Sequence, residues 1–169
     1  ELTSCGINFD LLEINNGSIF CACLMDDFIR QLGEFIQKYT PEAIFIEATG
    51  LADPVSMGQV MQAQEVNQYL FLGGIWTVID CVNFSKSHRY IQRVRHQVQV
   101  ADIILLNKSD LCVPDQGMID LLKKWNPFAE FFSTQKGGFD GLRSTIMDGL
   151  DKPSLKTHEK AGSQLEGSM

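Results

Sequence analysis

Ala101-Asp102-Ile103-Ile104-Leu105-Leu106-Asn107-Lys108-Ser109-Asp110-Leu111 is the stretch that decides the fold. Residues 103–106 form a short, continuous apolar run, the pattern of a strand buried on both faces. The run stops abruptly at Asn107-Lys108-Ser109-Asp110. An amide, an ammonium and a carboxylate then stand at the C-terminal end of a buried strand, where open α/β sheets bind ligands. The chemistry fits guanine. A carboxylate accepts hydrogen bonds from guanine N1–H and the 2-amino group, whereas adenine offers neither donor there and is rejected. The amide can bond the imidazole edge, and the lysine stem can lie along the purine face. The alternative is a polar strand-to-helix turn in which Asp110 is a helix cap.

Outward from this strand, apolar runs alternate with helical stripes. Upstream, residues 75–79 read as a strand ending at Asp80, and residues 88–99 as a helix turning Ile91, Val94 and Val98 inward. Residues 43–46 read as another buried strand, ending in Glu47-Ala48-Thr49-Gly50, and Pro54 suits the first turn of a helix reaching Gln68. Before that, Asp26 or Asp27 caps a helix to Tyr39, with Phe28, Ile29, Leu32, Phe35, Ile36 and Tyr39 on one stripe. Downstream, Pro114 starts a helix to Trp125, residues 128–132 are a last strand leading to Ser133-Thr134, and Gly137-Gly138 is a turn. Residues 139–150 predict a final amphipathic helix, and residues 151–169 a disordered tail or linker. The alternation predicts an α/β fold, a mostly parallel sheet with helices on both faces. Right-handed crossovers put every strand C-terminus on one edge, so Glu47, Asp80, Asn107 and Ser133 are expected to share one rim.

Composition sets limits. The 169 residues are enough for one domain with a core, and 44% apolar with 21% charged residues is ordinary for a globular chain. A net charge of -7 argues against a nucleic-acid or anionic-membrane surface. It says little about a nucleotide site, which needs local donors. No apolar run approaches the roughly 20 residues of a membrane span, and the opening residues do not make a signal peptide. Five cysteines at irregular spacing do not form a disulfide framework, which points to a reducing, cytoplasmic setting.

Two further groups carry chemistry. Glu47-x-x-Gly50 puts an acid able to hold Mg²⁺ beside a glycine amide able to approach a γ-phosphate, since no Cβ blocks it. The bland alternative is a solvated strand-end charge and a loop glycine. Cys21-Ala22-Cys23 offers two thiols to a borderline metal such as zinc or cobalt, although a tetrahedral site needs further ligands. Its alternative is small buried thiols beside a helix start. Cys81 and Cys112 read as core or loop residues. His88 and His96, within about 80° of each other around a helix, read as surface or interface residues.

Residues 44–54, Ile-Phe-Ile-Glu-Ala-Thr-Gly-Leu-Ala-Asp-Pro, resemble a block of the CobW-type metallochaperone GTPases, relatives of HypB and UreG. Val78-Ile79-Asp80, Gln97 to Asp102, Asn107-Lys108-Ser109-Asp110 and Asn126-Pro127-Phe128-Ala129 match later blocks in order and spacing, and Asn-Lys-x-Asp is similar to the guanine-reading motif of GTPases. The resemblance covers roughly residues 10–150. It implies a P-loop GTPase-like domain using GTP and Mg²⁺, with Asn107, Lys108 and Asp110 at the base, Ser133 or Thr134 touching it from the next loop, and Glu47 and Gly50 sensing Mg²⁺ and the γ-phosphate. Transferred zinc or cobalt would sit on Cys21 and Cys23, joined by Glu13. In the family's Gly-Cys-x-Cys-Cys motif, Ser18 and Phe20 stand here for the first two cysteines, Cys21 matches the third and Cys23 is additional. A guanine nucleotide and a metal-recipient protein are the implied partners, and a homo-oligomer is admitted.

No Gly-x-x-x-x-Gly-Lys-Ser/Thr occurs in the chain. That segment cradles phosphates with backbone N–H groups and supplies a lysine and a Mg²⁺-binding hydroxyl. The expectation is a GTPase domain incomplete at its N-terminus over residues 1–150 that alone binds GTP poorly and hydrolyses it inefficiently, with GTP hydrolysis belonging to the complete protein. The competing expectation is a standalone metal-binding or interaction module without nucleotide chemistry.

Overall fold

The computed structural model describes residues 10–12, 22–48, 54–84, 91–135, 138 and 142. In chain order its elements are α1 (Ala22–Tyr39), α2 (Pro54–Gln62), α3 (Gln64–Asn67), β1 (Trp76–Asp80), α4 (Ile91–Val100), β2 (Ile103–Asn107), α5 (Gln116–Trp125) and β3 (Glu130–Ser133). The chain divides into two compact units: Glu1–Ala52 with Gln59–Leu70, and Asp53–Gly58 with Phe71–Met169.

The first unit is organised by α1. Met25, Phe28, Leu32 and Ile36 recur at three- and four-residue steps and are all buried. The helix starts at Ala22, so Asp26 and Asp27 are not its cap as the sequence predicts. Asp27 works inside the helix instead, accepting from Arg30 and, at 2.7 Å, from Gln31 Nε2, while Arg30 also reaches Glu34 at 2.8 Å. Good helix formers at Ala22, Leu24 and Met25 carry the helix back one turn, and Met25 extends the buried stripe. Gly33 lets α3 approach closely, since a Cβ there would stand 3.4 Å from the Glu65 carbonyl oxygen. The helix predicted from Pro54 to Gln68 is two, because Ala63 adopts an extended ψ of 136°. Asn67 Nδ2 then bonds the freed Gln62 carbonyl at 3.2 Å, and Val66 becomes fully buried.

Residues 43–48 form no strand, which corrects the buried strand expected at residues 43–46. Phe45 is 74% exposed. An apolar run becomes a strand only where a second backbone completes its ladder, and among the described residues none does.

The second unit is built on a three-stranded parallel sheet ordered β1-β2-β3. β2 lies in the middle, and Ile103, Ile104, Leu105 and Leu106 are all buried, as a continuous apolar run requires. Ile104 and Leu106 point to one face and meet Ile79, Val98 and Leu122, with Val94, Met118 and Trp125 packed around them. Both crossover helices, α4 and α5, thus cover that face. Ile103 and Leu105 point to the other and meet Leu142, a helical residue, with Trp76 and Phe132. Each fully buried aliphatic side chain here contributes about 1.5–3 kcal/mol. Among the described residues no helix is long and apolar enough to cross a membrane.

Two polar side chains hold the crossovers. Asp115, rather than Pro114, marks the start of α5: its carboxylate accepts the Met118 N–H at 2.7 Å and satisfies a donor the first helical turn leaves open. Asn126, 2% exposed, follows the last turn of α5. Its Nδ2 donates to the carbonyls of Val98 and Ala101, both at 2.8 Å, and of Gln99 at 3.2 Å. Its Oδ1 accepts from Phe128 N–H at 3.0 Å and Ala129 N–H at 3.2 Å. One buried amide therefore ties the end of α4 to the approach to β3. Apart from Leu142, the helix predicted at residues 139–150 lies outside the described residues, as does the tail at residues 151–169.

Candidate functional site

Parallel register builds the rim. Asp80 and Asn107, the last residues of β1 and β2, are direct ladder partners, and Ser133, the last of β3, pairs with Leu106. Three of the four expected rim residues thus stand side by side. Glu47 belongs to the other compact unit, where it is exposed in a segment without a strand.

Three of the four residues after the buried run, Asn107, Lys108 and Ser109, are tied down. Toward β1, Lys108 Nζ meets Asp80 Oδ2 at 2.8 Å, and the Cys81 N–H bonds the Asn107 carbonyl at 3.1 Å. Toward β3, the Thr134 hydroxyl donates to Asn107 Oδ1 at 3.2 Å. Ser109 gives both its N–H (3.2 Å) and its hydroxyl (3.0 Å) to the Thr134 carbonyl. Lys108 adopts a φ of 61°, the left-handed region, and its carbonyl accepts from Leu111 and Cys112 N–H at 3.0 and 3.1 Å, closing a tight turn.

Asp110 is exposed and bonds no described residue. It caps no helix, since that role in α5 belongs to Asp115. Among the described residues, the turn therefore presents a carboxylate whose acceptor sites have no partner. Asn107, with Oδ1 engaged by Thr134, keeps its Nδ2 donor for the imidazole edge of a purine. Thr134 is only 2% exposed and bonds Asn107 directly, while Ser133 is exposed at the strand end.

Asp80 is the most heavily bonded acid of the rim. Its Oδ1 accepts from Val82 N–H (2.9 Å) and Asn83 N–H (3.2 Å), and its Oδ2 from Asn83 Nδ2 (2.9 Å) and Lys108. The Lys108 ammonium, then the Asn83 amide, hold the carboxyl down at about 2, against an ordinary value of 3.8. Because the folded-state value is depressed, the stabilisation it brings is complete above the ordinary value and is lost as pH falls from near 4 toward 2. In a carbon-detected NMR titration, Asp80 should show a midpoint near 2. Lys108→Met should move that midpoint toward 3.8, and an unmoved midpoint would contradict the ion pair.

The sequence singled out Asp80 only as a rim residue; its partnership with Lys108 needs the register. Asn126 was visible as part of a motif, but nothing in the string marks it as a buried hub. Thr77 carried no signal: its hydroxyl bonds the Gln97 carbonyl at 2.9 Å and pins α4 to the sheet.

The remaining candidates are not brought together. Glu13, Cys21 and Gly50 lie outside the described residues, and Cys23 lies in the first turn of α1. Among the described residues no group of three or more His, Cys, Asp or Glu side chains could hold a metal ion. Cys81 and Cys112 are free thiols, and burial pushes the Cys81 thiol up.

The family model described as "CobW/HypB/UreG, nucleotide-binding domain" matches residues 2–133, from near the start of the chain to the end of β3. The chain belongs to the CobW/HypB/UreG family. It is similar to "Zinc chaperone CobW" of Sinorhizobium sp, 27% identical over 125 residues, which covers 60% of this chain and 35% of that protein. "Zinc chaperone YjiA" of Escherichia coli (strain K12) is 28% identical over 133 residues, covering 75% and 42%. "Zinc-regulated GTPase metalloprotein activator 1" of Saccharomyces cerevisiae is 24% identical over 133 residues, covering 67% and 31%. The chain thus spans less than half the length of these curated relatives. No solved structure matches it. The parallel sheet agrees with the α/β, P-loop GTPase-like fold of a CobW-type nucleotide-binding domain.

Proposed function

We propose that this CobW-type chain carries the guanine-reading part of a GTP-binding domain that couples nucleotide state to the delivery of a transition metal. The observation that carries the reading is the open carboxylate of Asp110, presented by a turn whose neighbours are all tied down. Asp110 accepts from the guanine N1–H and 2-amino group, Asn107 donates to the imidazole edge, and Lys108 covers the purine face. Ser133 borders the base, and Thr134 acts through Asn107. Glu47 and Gly50 are assigned to Mg²⁺ and the γ-phosphate of GTP.

Zinc is the first choice of cargo, because two relatives are named zinc chaperones and a third zinc-regulated; cobalt shares the ligand chemistry. Cys21, Cys23 and Glu13 are assigned to that cargo, which passes to a metal-recipient protein. The free thiols Cys81 and Cys112 suit a reducing, cytoplasmic setting. A module without nucleotide chemistry is not favoured, because the matching family model is that of a nucleotide-binding domain.

Zinc affinity, measured by competition with a chromophoric chelator, should fall at least about tenfold when Cys21 and Cys23 are both changed to Ser, since two thiolate ligands are lost. In a version that also carries the phosphate-cradling loop, it should differ between GTP, GDP and no nucleotide. One zinc affinity under all three conditions overturns the coupling, and an unchanged affinity in the double variant overturns the cysteine assignment.

A further inference from the structure

The guanine motif is anchored asymmetrically. Asn107 and Ser109 are held by Thr134, just beyond β3, and Lys108 by Asp80, at the end of β1. Asp110, between these anchors and the next helix, is exposed and bonds no described residue. The lysine anchor stands out because both partners are partly exposed, Lys108 at 45% and Asp80 at 35% of their side-chain surface. An exposed lysine ordinarily sweeps many rotamers, and ordering it on a ligand costs that freedom.

Asp80 is built to remove it. Two backbone N–H groups and the Asn83 amide fix the carboxylate before it meets the ammonium at 2.8 Å. Ladder pairing with Asn107 sets it at the height of the motif. The left-handed turn at Lys108, φ 61°, directs the side chain back across the rim toward β1, opposite to the Asn107 side chain, which goes toward β3.

We propose that Asp80 is a positioning residue for purine recognition: it anchors the Lys108 ammonium in advance, so that the lysine stem lies ready against the face of the base whose edge Asp110 reads. The proposal rests on the guanine reading of residues 107–110. It adds a residue outside the four-residue motif and assigns it a step, the pre-ordering of Lys108. Anchoring on a fixed carboxylate lowers the cost of binding without adding a contact to the ligand.

Guanosine and adenosine are the probes, because neither carries a phosphate that would report on other parts of a nucleotide site. Their affinities are measured by ligand-observed NMR for the full chain and for D80N, K108M and the double variant. D80N keeps an oxygen for the Val82 and Asn83 N–H groups while removing the charge that holds Lys108. D80N is expected to weaken guanosine binding about three- to tenfold and K108M about as much. The double variant should lie within about twofold of K108M, because Asp80 acts through the lysine.

A D80N affinity within twofold of the parent overturns the proposal. So do losses that multiply in the double variant, since Asp80 would then act through the turn at residues 81–83. If the parent chain prefers guanosine and D80N leaves that unchanged, the proposal falls and the guanine reading stands. If the parent chain does not prefer guanosine over adenosine, the guanine reading falls and takes the proposal with it. K108M approaches the pair from the other partner, so poor folding of D80N leaves one arm intact: K108M binding guanosine as the parent does would also overturn it.

Discussion

Asp110→Asn is expected to move the base preference of the site from guanine to xanthine. In the proposed guanine reading the carboxylate accepts two hydrogen bonds, from guanine N1–H and the 2-amino group. An amide keeps one acceptor oxygen and turns the other position into a donor, which then faces the donating 2-amino group of guanine. Xanthine carries an oxygen at that position, so it accepts from the new NH₂ while its N1–H still meets the amide oxygen. Hydrogen bonds to a charged partner contribute about 1.5–3 kcal/mol, and one is weakened while the other becomes a clash. Guanosine affinity should therefore drop about a hundredfold, with xanthosine becoming the preferred nucleoside in competition NMR. The substitution touches no described hydrogen bond, because Asp110 is exposed and bonds no described residue. Thermal unfolding should accordingly stay within about 0.5 kcal/mol of the parent. Retained guanosine preference in the variant would remove Asp110 from the base-reading role.

The second large effect belongs to stability. Asn126→Ala should destabilise the second unit by about 3–4 kcal/mol. The side chain is 2% exposed and makes contacts to three carbonyls and two N–H groups. Alanine leaves the Ala101 carbonyl without its 2.8 Å donor and the Val98 carbonyl with only the longer 3.3 Å bond from the Ala101 N–H, and it takes the acceptor from the Phe128 and Ala129 N–H groups. Each buried group left without a partner costs about 1–3 kcal/mol. Against a domain stability of about 5–15 kcal/mol this is a large share, and it corresponds to a fall in Tm of about 10 °C. Asn126→Asp should be no better, since a carboxylate keeps the acceptors for Phe128 and Ala129 but turns oxygen toward the carbonyls of α4. Urea unfolding of both variants decides it: a loss under about 1 kcal/mol in Asn126→Ala would mean that water replaces the amide.

Much of the second unit is legible in the string. Four consecutive aliphatics at residues 103–106 can be satisfied only by burial on two faces, and the structure places them in the central strand. The polar residues that follow are confined to the C-terminal rim by the parallel direction of the chain, so Asp80, Asn107 and Ser133 were expected together and are found together. Residues 43–46 mark the limit of the same reasoning. Their pattern is equally strand-like, but a strand is a relation between two backbones, and the described residues offer them no partner. The start of α1 was displaced for a different reason. Asp26 and Asp27 are good caps in isolation, but Ala22 and Met25 carry the helix past them, and burial of Met25 outweighs the local preference for a cap.

The sequence by itself determined an α/β alternation with Asn107-Lys108-Ser109-Asp110 after its most apolar strand, because hydrophobic period and side-chain chemistry are local properties, and the motif at residues 44–54 pointed to the CobW type by resemblance. Only the tertiary structure decided how that turn is held. The Lys108–Asp80 pair, the Thr134 hydroxyl on Asn107 and the three bonds from Asn126 Nδ2 join residues 25 to 28 positions apart in the chain. No local pattern selects such partners. They meet because parallel pairing of β1, β2 and β3 fixes the register, and register sets which polar groups must satisfy one another at the rim and beneath it.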